Sequence, residues 1–160
     1  MKTFTKQELD KILDNHKLWL SSNGKNGERA DLSNADLRNA DLRNADLSKA
    51  NLGLSDLSNA NLSKAKLSYA NLSYAKLNSA NLCSADLYFA NLSKANLSKA
   101  KLSEANLSYA KLDSADLSFV ELSFANLRNA KLNSAILRYA DLCYAKLDSA
   151  DLSFVELSFA

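Results

Sequence analysis

The sequence predicts an all-β solenoid closed at its N-terminal end by a short α-helical cap. Three observations carry this reading. Leucine stands at 32, 37, 42 and every fifth residue to 157 without exception. Alanine stands two residues before each leucine, except at Ser55, Val120 and Val155. Residues 1–29 do not share the period and read as a helix and linker. The chain therefore divides into a cap, 1–29, and a repeat, 30–160.

Bulk composition narrows the function classes. A chain of 160 residues suits one domain, and a formal charge of +2 gives no steer toward nucleic acid or an anionic membrane. The opening "MKTFTKQELD" has no apolar core of signal-peptide length. No stretch approaches the roughly 18 apolar residues of a membrane span. A cytoplasmic protein without membrane contact is the expectation. Cys83 and Cys143 are then expected as free thiols. Proline is absent and only three glycines occur, which excludes a loop-rich domain or a disordered linker.

The cap comes first along the chain. In "FTKQELDKIL", Thr5 stands as N-cap with Glu8 three residues later, a capping box. Phe4 and Leu9 take the staple positions around it. Leu9, Ile12, Leu13, His16 and Trp19 then fall along one helical face, and Asn23-Gly24 supplies the stop. The first coil of a solenoid exposes an open β edge, and a terminal cap covers it. These five residues are expected to pack the cap on the first coil. A ligand pair made by His16 and Trp19 is the weaker alternative.

The repeat follows. A period of five fits neither regular element. On an α-helix five residues advance about 500°, so the leucines would spiral over every face. On a flat strand they would alternate sides. A short extended segment followed by a corner succeeds. Alanine and leucine, two apart, then point to the same side, and turning at each corner keeps that side inward. Coils stack at about 4.8 Å, as neighbouring strands do.

The A-(D/N)-L-x-x array from Ala30 to Ala160 resembles the pentapeptide-repeat family. The stretch "HKLWLSSNGKNGERADL" also resembles the leader before many bacterial arrays of this kind. The resemblance implies a right-handed quadrilateral β-helix with four pentapeptides, or 20 residues, per coil. About six and a half coils would then make a rod of roughly 30 Å.

Inward positions are uniform, so function must lie on the residue before each leucine and the two after it. Asp or Asn before the leucine (Asp31, Asp36, Asn51, Asn61) is expected to bond local backbone at corners. Lysines in the same rows (Lys66, Lys76, Lys101) argue against a calcium array. Serines have no base within reach, because the one histidine lies in the cap. No catalytic residue, metal ligand or cofactor is expected, and the protein is not expected to be an enzyme. Cys83 and Cys143, 60 residues apart, would stand three coils apart, about 14 Å and beyond disulfide reach.

Aromatic residues break the uniformity. With 20 residues per coil, Tyr69, Phe89 and Tyr109 share one corner, and Phe119, Tyr139 and Phe159 another, beside Phe124 and Tyr144. Stacked rings can stabilise neighbouring segments, and exposed apolar area also marks partner surfaces. Phe119, Phe124, Tyr139, Tyr144, Phe154, Val155 and Phe159 are the candidate interaction residues. They gather at an end with no cap sequence, which suggests a homodimer through the C-terminal coil.

Three functions compete. The first is a non-catalytic structural or protein-interaction module with an unidentified protein partner. The second, carried only by the resemblance, is a DNA-mimicking gyrase modulator of the quinolone-resistance type. Against it, residues 31–160 hold 14 acidic and 14 basic side chains, so the coil is neutral, and nucleic acid is not an expected partner either. The third, a small-molecule binder or enzyme, lacks a pocket in a leucine-filled interior.

One feature is historical. "KLDSADLSFVELSFA" occurs at 111–125 and again at 146–160, within three related units, 56–90, 91–125 and 126–160. Thirty-five residues are seven pentapeptides, not a multiple of four. Each copy should sit a quarter turn from the last, which reads as duplication rather than as one selected face.

Overall fold

The structure is a computed structural model describing residues 1–160. Strand β1 (Lys2–Thr3) leads into helix α1 (Lys6–Ser21), and β2 (Ala35–Asp36) lies in the first coil. No helix of the chain is long and apolar enough to cross a membrane.

The repeat builds a solenoid of 20-residue coils. The residue before each leucine makes a parallel bridge with its counterpart 20 positions on, as in Asp31 with Asn51 and Asn51 with Asn71. Four such bridges recur around each coil, one per pentapeptide, so the coil has four sides. Each side meets the next coil through a single bridged residue. The extended segments are thus shorter than ordinary strands, because a turn begins immediately after each leucine.

Almost every backbone group in a side has a defined partner. The Leu32 N–H donates to Asn51 C=O at 2.7 Å, and the Asn34 N–H to Gly53 C=O at 3.0 Å. The Asn51 N–H returns to Ala30 C=O at 3.0 Å. Within the turn, the Ala35 N–H donates to Leu32 C=O at 3.2 Å. One donor per pentapeptide remains, the N–H just after the leucine. The short acid or amide before the leucine takes it: Ser33 donates to Asp31 Oδ1 at 3.1 Å, and Ser63 to Asn61 Oδ1 at 3.1 Å. A side chain that accepts from the backbone two residues on is an Asx turn. This is why Asp and Asn dominate that row.

The turn has a second requirement. The residue two after every leucine, from Asn34 to Phe159, has φ between 55° and 63°. Positive φ at that corner alone is the geometry of a type II turn. Those corners hold Asn, Lys, Ser, Tyr, Phe, Leu and Glu, and no glycine and no β-branched residue. Asn tolerates this conformation, whereas Val, Ile and Thr meet the hardest steric penalty there.

The inside is a solid column of leucine and alanine. From Leu32 to Leu137 every repeat leucine is buried. Val120 fits in place of alanine, and Ser55 is buried with its hydroxyl donating to Leu52 C=O at 2.7 Å. The column opens at coil 141–160, where Leu152 and Leu157 are 37% and 47% exposed.

The other end is covered. Thr5 and Glu8 form the reciprocal capping box of α1. Its C-terminal end is a Schellman motif: the Gly24 N–H bonds Trp19 C=O at 2.8 Å, the Asn23 N–H bonds Leu20 C=O at 3.3 Å, and Asn23 has φ 53°. Phe4, Leu9, Ile12 and Leu13 pack against the leucine column. The first residues add a feature not legible in the sequence. β1 pairs in parallel with β2, with Lys2 opposite Ala35 and Thr3 opposite Asp36, and so extends one side of the first coil upward.

Candidate functional site

The rings beside the turns are placed by the corner geometry just described. Corners 20 residues apart lie one above another, so like residues form columns. Tyr69, Phe89 and Tyr109 stack with centroids 5.3 and 4.8 Å apart and planes within 4°. Tyr88 meets Phe89 edge-on at 4.7 Å. Phe119, Tyr139 and Phe159 form a second column at 4.8 and 4.9 Å, and Phe124 and Tyr144 a third at 4.9 Å. Lys94 Nζ lies 5.3 Å above the Tyr74 ring.

This stacking decides what the columns can do. Interior rings such as Phe89 and Tyr139 have both faces covered by neighbours. A nucleobase therefore cannot stack on them, since such binding needs a free π face. The columns clamp adjacent coils together, each ring pair contributing about 0.5–1.5 kcal/mol beyond its buried area. Ring faces without a stacked neighbour occur at column ends and at the unstacked Tyr74 and Phe154. Phe159 and Tyr144 belong to coil 141–160, are 79% and 77% exposed, and have no ring above them on the far side. Phe154, at an adjacent corner, is 88% exposed and unstacked.

The same coil carries the open edge. Leu142, Leu147, Leu152 and Leu157 have no acceptor for their backbone N–H groups, whereas each earlier repeat leucine from Leu32 to Leu137 donates to the next coil. Val155 is half-buried among them. Phe119, Tyr139 and Phe124 are the inner members of the columns that lead to this face. Cys143 lies there too, exposed, with Asp141 beside it holding the thiol above its ordinary pKa. Cys83 is likewise free. The sequence drew attention to the aromatics and Val155. It did not single out the four leucines, which look like all the others; only their place in the last coil distinguishes them.

The cap residues are distributed differently from one uniform packing face. Leu9, Ile12 and Leu13 touch the column, and His16 is buried. Trp19 lies over the His16 ring, with centroids 5.7 Å apart and planes within 13°. A cleft of about 340 Å³ separates α1 from the first coil, lined by Phe4, Leu9, Leu13 and Leu37 with a charged rim. On that rim Asp36 and Asp41 are each bonded by an arginine two residues on, Arg38 and Arg43, through Nε at 2.8 Å. These guanidinium contacts bring both carboxyls down to about 2.

Charge offers no continuous stripe. Ion pairs link coils at scattered places, as Lys76 with Asp56 at 3.5 Å and Arg128 with Asp148 at 2.7 Å. Exposed pairs of this kind contribute about 0–1 kcal/mol.

The coil geometry defines the class first: a stacked repeat protein with an invariant interior and a variable exterior. The family follows. A family model described as pentapeptide repeats matches in 8 copies over residues 28–63, 55–82, 65–103, 80–118 and 125–160, and the chain belongs to that family. Proteins of this family fold as right-handed quadrilateral β-helices. Among solved structures, the chain is similar to HetL from the cyanobacterium Nostoc sp. strain PCC 7120, a protein involved in heterocyst differentiation regulation. Identity is 32%, over 79% of this chain and 73% of that one, with a TM-score of 0.35. It is similar to Rfr23 from the cyanobacterium Cyanothece 51142 at 35% identity, over 61% of this chain and 63% of that one, with a TM-score of 0.42. QnrB1, a plasmid-mediated fluoroquinolone resistance protein, matches at 17% identity over 83% of this chain and 78% of that one, with a TM-score of 0.34. No curated protein matches the chain.

Proposed function

We propose that this chain is a non-catalytic interaction module, with the right-handed coil of its family, that self-associates through coil 141–160. The observation that carries the reading is the group of exposed rings on coil 141–160 and the corners beneath it, Phe119, Phe124, Tyr139, Tyr144, Phe154 and Phe159. Contiguous exposed apolar area of this kind marks a contact surface. A second copy offers the same groups in return. An isologous contact would bury both sets of rings, and a two-fold axis closes such a contact without forming fibres. A solid interior leaves no space for a substrate among the repeat leucines. The neutral coil does not favour a mimic of DNA, whose function rests on a dense negative field.

Sedimentation equilibrium or light scattering at tens of micromolar tests this. The expected result is a dimer for the chain as it stands and a monomer for the Phe124→Ser/Tyr144→Ser/Phe159→Ser variant. A monomer for the unmodified chain at those concentrations would remove the proposal.

A further inference from the structure

His16 is fully buried, and both its ring nitrogens are engaged. Nδ1 lies 3.1 Å from the backbone nitrogen of Ala30, and Nε2 lies 3.0 Å from the carbonyl oxygen of Ser48. An N–H can only donate and a carbonyl oxygen can only accept, so the tautomer is dictated. Nδ1 accepts from Ala30, and Nε2 carries the proton and donates to Ser48. The ring is therefore neutral in the folded cap.

The position of these partners gives the bond its structural meaning. Ala30 opens the first coil and Ser48 lies near its close. Deeper in the rod the carbonyl that corresponds to Ser48, that of Ser68, accepts from the Lys49 N–H one coil above. The first coil has no coil above it. His16 supplies the missing donor from α1, and it also receives a donor from the start of the same coil. One side chain thus ties the cap to both ends of the first turn of the solenoid.

Protonation at Nδ1 is incompatible with this arrangement. It would set two N–H donors against each other at the Ala30 contact, in a buried site. The surrounding charges do not offset it. Asp46, on the first coil, favours the imidazolium, and Arg29, in the linker, opposes it. Glu28 and Asp31 line a cleft beside Asn15, and Lys49 lines one beside Trp19 and Gly24. Trp19 covers a face of the ring and carries no charge. Desolvation is the largest influence and holds His16 below the ordinary histidine value of 6.5.

We propose that His16 is a proton-operated latch. When it is neutral, α1 is locked on the first coil; when it takes up a proton, the Ala30 bond is lost and the cap lifts from the leucine column. The linkage follows from the direction of the shift. The unlatched ring binds a proton more readily than the latched one, so cap stability is fully present above about pH 6.5 and falls as pH drops below it. Between the unlatched and latched pKa values the closing equilibrium weakens about tenfold per pH unit. The exposed surface would be the top of the leucine column, now held by Leu9, Ile12 and Leu13.

Hydrogen exchange on the full chain between pH 8 and pH 5 reads this out, as protection factors so that the intrinsic pH dependence of exchange cancels. The expected result is that α1 amides lose protection below pH 6.5, by up to tenfold per unit, while amides of middle leucines such as Leu82 and Leu102 keep theirs. His16→Gln can donate and accept at the same two sites without titrating, and its α1 protection should be independent of pH. Equal pH dependence in that variant would overturn the proposal. Should the variant fail to close its cap, the unmodified chain still decides through the nitrogen-15 shifts of the His16 ring. A ring that protonates at or above 6.5 while α1 stays protected contradicts the latch. A neutral Nε2–H ring that persists below that value, and protonates together with cap opening, supports it.

Discussion

At the residue scale, the pentapeptide is a device for satisfying backbone groups with few atoms. Leucine supplies burial, alanine leaves room, and the residue before leucine finishes the hydrogen bonding. Where that residue is Asn or Asp, the N–H after the leucine has an acceptor. Where it is lysine, as at Lys101, the N–H of Ser103 has no such partner. Lys101→Asn should therefore stabilise the rod by about 1 kcal/mol, the net worth of one hydrogen bond. Asn61→Ala should cost a similar amount. Chemical denaturation of the two variants checks both signs, and equal midpoints would contradict the role given to the row. The inward leucine and the local bonding of Asp and Asn were legible in the sequence, because each follows from spacing alone. The left-handed corner was not. Tyr69, Phe89 and Lys94 carry no glycine-like mark, and the traces, asparagine at Asn34, Asn39 and Asn59 and the exclusion of Val, Ile and Thr from those corners, are visible only when the corners are lined up.

At the element scale, the cap and the coil are different solutions to one problem, the open edge. α1 uses local rules throughout, so its start at Thr5 and its stop at Asn23-Gly24 could be read from neighbouring residues. What joins it to the coil could not. His16 reaches partners 14 and 32 positions away, and the sequence contains nothing that pairs them. β1 was equally hidden, since two residues of strand have no period to reveal them. The linker contributes a steric fit. Gly27 has φ 74°, and a side chain there would run into the Asn15 carbonyl and stand 2.8 Å from the Trp19 nitrogen. Gly27→Ala should therefore cost more than 1 kcal/mol of cap stability. The expected outcome is loss of helical ellipticity at temperatures where the coil's melting is unchanged. A variant with full ellipticity up to the coil's own transition would show that the linker does not hold the cap.

At the scale of the whole molecule, the rod is a sum of neighbouring layers. Each coil is stabilised by the ones above and below, so position along the axis sets the worth of a contact. The similarity at 35 residues, seven pentapeptides, keeps the leucines inward while setting corresponding outer residues a quarter turn apart. The 35-residue counterparts Phe89, Phe124 and Phe159 therefore stand on three different corners, as do Tyr74, Tyr109 and Tyr144. The two copies of "KLDSADLSFVELSFA" share every residue but not an environment. Leu122 is fully buried, and its counterpart Leu157 is 47% exposed. Identical sequence with different surroundings is information that only the stacked structure holds.

That difference sets the most direct measurement, thermal or chemical unfolding of Leu82→Ala and Leu157→Ala across a range of protein concentrations. Leu82→Ala should cost about 2.7–5 kcal/mol at every concentration, as deletion in a packed core does. Leu157→Ala should cost much less in dilute solution and, on the proposed self-association, progressively more as the concentration rises, because association stabilises the folded state. Equal costs for the two substitutions in dilute solution would contradict the contrast between the buried Leu82 and the exposed Leu157. A Leu157→Ala cost that does not change with concentration would contradict the self-associating coil.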